Sequence, residues 1–207
     1  MNKQFLETLL RWPKSYISGI DLYALLDKSD HSRHAIIKRA VQMGYLISLK
    51  RDLYLIQKEG QSALDAFEIA SILYGPSYIS FESALSYHGW IPEAVNTTTS
   101  ASSKRSKLFD TPIGVFSYEH IPIKAFSLGV EQHIQTNQVN LFIASPLKAL
   151  ADLIYARKRS WNHLEDLSAD LRIDPELFQT IDSELFSELI HNYPSQRVSS
   201  TLKRIKP

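Results

Sequence analysis

Over the first sixty residues, apolar positions recur at helical spacing three times and then switch to alternation. Phe5, Leu6, Leu9 and Leu10 repeat every four residues, which predicts a first helix ending near Trp12-Pro13. Leu22, Leu25 and Leu26 place a second helix over Ser18–Asp27. Ser29 or Asp30 can cap a third, whose pattern runs to Gly44, where a helix stop is expected. Tyr45–Leu49 and Leu53–Ile56 then read as two short strands around Lys50-Arg51-Asp52. Three helices followed by a two-stranded tip is the element order of a winged helix-turn-helix.

The polar run Gln57–Ser62 (QKEGQS) marks a junction. Beyond it, Ala63–Tyr74 reads as a helix broken by Gly75-Pro76, and a short helix around Glu82–His88 ends at Gly89. Thr97–Lys107 is a polar, low-complexity stretch. From Thr97 to Ala144 the pattern is that of strands: one carries Val115, Ser117, Glu119 and Ile121. Val130–Gln135 and Val139–Ile143 suggest a hairpin with Thr136-Asn137-Gln138 at its tip. Ser145-Pro146 starts a helix whose apolar face is Leu147, Leu150, Ala151 and Ile154. Asp174-Pro175 repeats that signal before Leu177, Phe178 and Ile181, and helices continue to the C-terminus. The expected fold is α+β. A winged helix-turn-helix over residues 1–60 precedes a mixed α+β domain over 61–207, with a mainly antiparallel sheet and a helical tail.

Composition refines this division. A chain of 207 residues with 44% apolar content suffices for one large domain or two small ones, each with its own core. The net charge of +1 hides an asymmetry: residues 1–60 hold ten Lys/Arg and six Asp/Glu, whereas residues 61–207 hold thirteen and sixteen. The positive half points to an anionic partner. The absence of cysteine excludes disulfides and thiolate zinc sites and suits a reducing compartment. The opening MNKQFLETLLRW has acids and aromatics within its apolar pattern and lacks a signal peptide's cleavage site. No run approaches the ~18 apolar residues of a bilayer span. A soluble cytoplasmic protein without membrane partners is expected.

The candidate chemistry lies in the basic module. Residues 28–51 carry six cations (Lys28, Arg33, Lys38, Arg39, Lys50 and Arg51) and one acid, Asp30. On a helix, Ile36, Ile37, Ala40, Val41 and Met43 fall on one side. His34, Lys38 and Gln42 fall opposite, flanked by Ala35 and Arg39. A helix seated in a major groove needs this division, with a rear face that packs and a front whose donors reach base edges. The candidate DNA contacts are therefore Arg33, His34, Lys38, Arg39, Gln42, Lys50 and Arg51. Arg33, Lys50 and Arg51 are assigned to phosphate and the helix face to bases. Lys50 and Arg51 are expected at an exposed tip. Neutralising four to six phosphates would give log affinity a slope of roughly −4 to −5 against log salt. Lys104, Arg105 and Lys107, in the flexible basic loop Ser102–Lys107, form a candidate second anion contact, either to DNA flanking the winged helix or to an RNA or nucleotide. Phe109 and Tyr118 nearby could stack, although aromatics in strands are more often core.

Four segments carry a family resemblance: GYLISLKRDLYLI (44–56), YISFESALSYHGWIP (78–92), TPIGVFSYEHIP (111–122) and ASPLKALADLIY (144–155). Their order resembles the AbiEi-type antitoxins, the abortive-infection transcriptional regulators of type IV toxin–antitoxin pairs, over about residues 5 to 160. The most specific parts are Ser80–Gly89 and Ser145–Asp152. The resemblance implies a repressor that binds its own promoter, a double-stranded DNA, through the N-terminal unit. It also implies a C-terminal domain opposing a cognate AbiEii-type nucleotidyltransferase toxin without a necessary stable complex; the RNA or nucleotide at the second anion contact would then be one used by the toxin. One departure stands at the wing, where the family has Arg-Gly-x-Tyr and this chain has Arg51-Asp52-Leu53-Tyr54. Glycine enters left-handed conformations freely and aspartate with some tolerance.

Elsewhere the bland readings lead. His88 with Glu82 invites a catalytic reading, but a histidine bonded to nearby backbone or carboxylate suffices. Asp110, Glu119 and Lys124 lack the Glu-x-Lys spacing of a metal-dependent nuclease. His31 and His34 have no third ligand nearby, and no glycine-rich phosphate loop occurs. Lys148 and Asp152, at i and i+4, read as a helix-surface pair. No catalytic residue, metal or cofactor is assigned, and the chain is expected not to be an enzyme. A nucleic-acid enzyme targeted by a winged helix and a protein-interaction module without DNA binding remain the alternatives. Oligomeric state is left open.

Overall fold

The computed structural model of the protein describes residues 3–26, 30–58, 64–92, 96–134 and 139–206. Lys28, the Ser29 cap, most of the Gln57–Ser62 junction and the Thr136-Asn137-Gln138 tip lie outside the described residues, as do the side chains of Asp30 and His31. The architecture is mixed α+β. Among the described residues no helix is long and apolar enough to cross a membrane.

The first unit contains α1 (Lys3–Leu10), β1 (Tyr16–Ser18), α2 (Gly19–Leu25), α3 (Asp30–Gln42), β2 (Leu46–Lys50) and β3 (Leu53–Ile56). Ser18 starts α2 by accepting from the Asp21 amide at 3.2 Å. The end of α3 is set by Gly44, at φ 77°. The Gly44 amide donates to Val41 and that of Tyr45 to Ala40, at 3.1 and 3.0 Å, a closure that needs left-handed backbone at Gly44. Phe5, Leu9, Ile17, Leu22, Leu26, Ile37, Ala40, Leu46 and Ile56 form the core of this unit.

Sequence periodicity did not predict β1, a three-residue strand too short for alternation to register. It pairs antiparallel with β3 and completes a sheet in the order β1-β3-β2. Both faces of this sheet are covered. Ile17, Leu46 and Ile56 belong to the helical core, whereas Leu49, Leu53 and Leu55 belong to the core of the second unit. Alternation along β3 thus feeds two cores at once.

The second unit opens with α4 (Ala66–Leu73). It starts at Ala66 rather than Ala63 because Asp65 and Glu68 cap it reciprocally, each side chain accepting from the other's amide at 2.8 and 2.9 Å. Then follow β4 (Ser77–Ile79), α5 (Phe81–Tyr87), β5 (Thr97–Ser102), β6 (Lys107–Thr111), β7 (Gly114–His120), β8 (Val130–Ile134) and β9 (Asn140–Ala144). α6 (Pro146–Ala156), α7 (Leu164–Leu171), α8 (Ser183–Asn192) and α9 (Gln196–Arg204) complete the chain, with 3₁₀ turns at Ile123–Ala125 and Pro175–Thr180. The six strands run β6-β7-β5-β4-β9-β8. The sheet is mixed: β4/β5, β6/β7 and β8/β9 are antiparallel, and β5/β7 and β4/β9 are parallel.

The central strand β5 is TTTSAS, the stretch that reads as low complexity in the sequence. Two of its hydroxyls are spent on backbone, Thr99 Oγ1 donating to Ser80 O at 2.8 Å and Ser102 Oγ to Pro76 O at 2.9 Å, whereas the buried Ser100 Oγ has no hydrogen-bond partner. Such partners offset the burial of Thr99 and Ser102 in a central strand.

The pair at Lys148 and Asp152 corrects the helix-surface reading. Both side chains are wholly buried, 2.6 Å apart. Lys148 Nζ also donates to Ala125 O at 2.8 Å and lies 4.8 Å from the Tyr193 ring centroid. Asp152 accepts from Tyr78 and Ser80 on one oxygen, at 2.7 and 2.8 Å, and from Tyr193 at 2.9 Å on the other. Helical spacing placed the two on one face, but that face is turned inward, between the sheet and the C-terminal helices.

Candidate nucleic-acid interface

α3 presents one polar face to solvent. His34, Ala35, Lys38, Arg39 and Gln42 are exposed, while Ile37 and Ala40 are buried. At about 100° per residue these exposed positions form one contiguous strip. Ile36 and Val41 are partly buried, so the rear stripe is narrower than expected. Met43, assigned to the packed side, is 55% exposed because it follows the last helical residue, where the chain turns toward Gly44.

The basic residues divide by role. The Arg33 Nε donates to Leu26 O at 3.0 Å, and its guanidinium lies 5.7 Å from the Tyr23 ring centroid, so it ties α3 to the end of α2. His34 meets the same Tyr23 ring edge-on at 5.8 Å. Arg51 sits at the β2–β3 turn with its side chain 96% exposed and Nε 3.5 Å from Asp52. Asp52 takes the left-handed conformation, φ 60°, that the glycine of the resembled pattern would occupy more freely.

Lys50 departs from the exposed tip expected of it. It is half-buried at the seam between the units, where β2 touches β6. Its Nζ donates to Leu73 O at 2.5 Å and lies 5.8 Å from the Phe109 ring centroid. Burial lowers its pKa below the ordinary lysine value, and the Lys107 and Lys104 charges lower it further.

That coupling reveals what the fold brings together. Lys104 comes from the β5–β6 connection and Lys107 from the start of β6, more than fifty residues from Lys50. Lys107 Nζ stands 4.8 Å from the Phe109 centroid and 5.8 Å from that of Tyr74. Lys104 Nζ lies 5.5 Å from the Tyr74 centroid and donates to Gly75 O at 2.5 Å. The two rings are 5.7 Å apart. Ser103, Lys104, Arg105, Ser106, Tyr74 and His120 line an open depression of about 690 Å³.

The loop itself is pinned rather than loose. Tyr74 donates from its hydroxyl to Arg105 O at 3.1 Å, the Lys104 amide donates to Ser102 Oγ at 3.2 Å, and the His120 amide donates to Ser106 Oγ at 2.9 Å. Among the described residues, none of Lys50, Lys104, Arg105 or Lys107 forms an ion pair with a carboxylate. Phe109 stands near the basic loop in the sequence, but Tyr74, the other ring of this cluster, has no signal there, because only folding brings the end of α4 against β6.

His88, Glu119 and Tyr118 have structural partners. His88 Nε2 lies 3.0 Å from Ala144 O. Glu119 is held by Arg157 at 2.6 Å. Tyr118 is buried and donates to Ala70 O at 2.7 Å. Among the described residues, no group of three or more His, Cys, Asp or Glu is placed to hold a metal ion. Compared with known proteins, the chain matches no family model and no curated protein sequence.

Proposed function

We propose that this protein is a sequence-specific DNA-binding repressor whose N-terminal unit acts as a winged helix-turn-helix. The observation that carries this reading is the exposed strip His34, Lys38, Arg39 and Gln42 on α3, backed by buried Ile37 and Ala40. Lys38 and Arg39 offer donors for guanine O6 and N7, and the Gln42 amide suits adenine N6 and N7. Arg51, extended from the β2–β3 turn, serves phosphate or the minor groove. Arg33 acts mainly by seating α3 on α2.

The biological role follows from the segment order described above. The protein serves as the antitoxin of a type IV pair, repressing its own operon and opposing a nucleotidyltransferase toxin. The DNA half is tested by fluorescence anisotropy on a duplex from upstream of its own gene. Wild-type protein binds with a steep salt dependence, and the double variant Lys38→Glu/Arg39→Glu loses that binding. Retained affinity with an unchanged salt slope in a folded variant defeats the assignment. The antitoxin half is tested by co-expressing the full chain with a nucleotidyltransferase encoded beside it. Growth restored by the chain supports the role; toxicity undiminished by well-expressed, folded protein rejects it.

A further inference from the structure

The cluster at the seam is unusual in its balance. Lys50, Lys104 and Lys107 surround two adjacent aromatic rings, and the exposed Arg105 lines the same depression as Lys104. The rings and the carbonyls of Leu73 and Gly75 hold the ammonium groups in place, but neither supplies a full negative charge. Like charges held this close repel, and a bound anion would relieve the cost. Lys50 immediately precedes Arg51 in the β2–β3 turn. The second unit therefore places Lys104 and Lys107 beside Lys50, the residue that leads into the turn the DNA reading assigns to phosphate.

We infer that Lys104, Arg105 and Lys107 bind backbone phosphates of the same duplex that α3 reads, so that the DNA footprint continues across the seam onto the β5–β6 connection. This inference rests on the DNA-binding reading. A polymer suits the site better than a free nucleotide. The depression is open, and no glycine is among the residues that line it. Contacts made in open water are individually weak and gain from being strung along one strand, where duplex DNA carries a charge about every 1.7 Å. Because the loop is pinned by Tyr74, Ser102 and His120, its cations are already arranged before a duplex arrives.

The test compares wild type, the triple variant Lys104→Gln/Arg105→Gln/Lys107→Gln, and the single variant Arg105→Glu, which leaves the two lysines untouched. Binding to the upstream duplex is followed from low to moderate salt, with ATP and CTP titrated separately against wild type. Each lost phosphate contact reduces the steepness of log affinity against log salt by about 0.9, so the triple variant becomes shallower by roughly 2 to 3. Arg105→Glu weakens binding uniformly across sequences while leaving base preference intact. A folded triple variant with the wild-type slope overturns the inference while leaving the α3 reading standing. If the triple variant does not fold, wild-type affinity in Arg105→Glu overturns it instead. Nucleotide binding lost in the triple variant while duplex binding is unaltered also overturns it. Wild-type protein that shows no salt-dependent duplex binding sinks both readings.

Discussion

At the scale of single residues, the costliest position to disturb is the buried pair Lys148–Asp152. Breaking a buried ion pair by removing one partner costs about 3–5 kcal/mol, because the remaining charge has no water to turn to. Asp152→Asn is expected to fall in that range in urea unfolding, and Tyr193→Phe, which removes one charge-assisted bond, to cost about 1.5–3 kcal/mol. If Asp152→Asn unfolds at the wild-type midpoint, the network contributes little. A second residue-level test concerns Gly19. Its amide donates to Asp52 O at 2.9 Å, and a Cβ there would meet the Asp52 Cβ and Oδ1 at 2.8 Å. Gly19→Ala should destabilise by about 1–3 kcal/mol through overpacking. Adding Asp52→Gly removes the clashing atoms and should recover most of the loss; additive losses in the double variant would refute the contact as the cause.

At the scale of elements, α3 behaves as its periodicity requires. A polar strip faces outward, and the helix ends where Gly44 adopts left-handed backbone. A Cβ at Gly44 would meet nothing within 4 Å, so the cost of Gly44→Ala is conformational. A loss of about 1 kcal/mol in thermal or urea unfolding is expected. A neutral result would mean that the closure tolerates a side chain. The contrast is β5. The threonines of Thr97–Ser102 are β-branched and suit a strand, but the segment lacks the apolar alternation that would mark a packed face. Its place at the centre of the sheet depends on acceptors at Ser80 and Pro76, which sequence order does not bring near.

At the scale of the whole molecule, the β1-β3-β2 sheet joins two cores, so the chain does not divide cleanly at residue 60. Burying a leucine fully contributes about 1.5–3 kcal/mol. A fragment of residues 61–207 lacks Leu49, Leu53 and Leu55, and should melt below the full chain and bind a hydrophobic dye. An unchanged midpoint would show that the shared sheet adds nothing to the second unit. Alkaline pH gives another global test. Burial raises the pKa of Tyr78, Tyr118 and Tyr193, and Asp152 raises those of Tyr78 and Tyr193 further. The folded chain therefore keeps protons that the unfolded chain releases near pH ~10. Their stabilisation is complete below that value and is lost as pH rises toward the folded values. Lys148, Lys50 and Lys58, lowered by burial, act in the opposite sense, and Tyr54, raised by burial, acts with the other tyrosines. Circular dichroism should fall together with the appearance of tyrosinate absorbance above pH ~10. Tyrosinate forming well before unfolding would contradict the burial.

Sequence alone determined what depends on near neighbours: the amphipathic α3, its stop at Gly44, the starts at Ser18 and Ser145, and the charge division between the two halves. These follow from spacing along one element, where a few residues fix which side packs and which is solvated. Tertiary structure decided what depends on distant segments. It turned Lys148 and Asp152 inward and placed a hydroxyl-rich strand at the sheet's centre. It also drew Lys50 away from the exposed β2–β3 turn into a cluster with Lys104 and Lys107. In each case the deciding partner lies some twenty residues or more away in the chain, a distance at which periodicity carries no information.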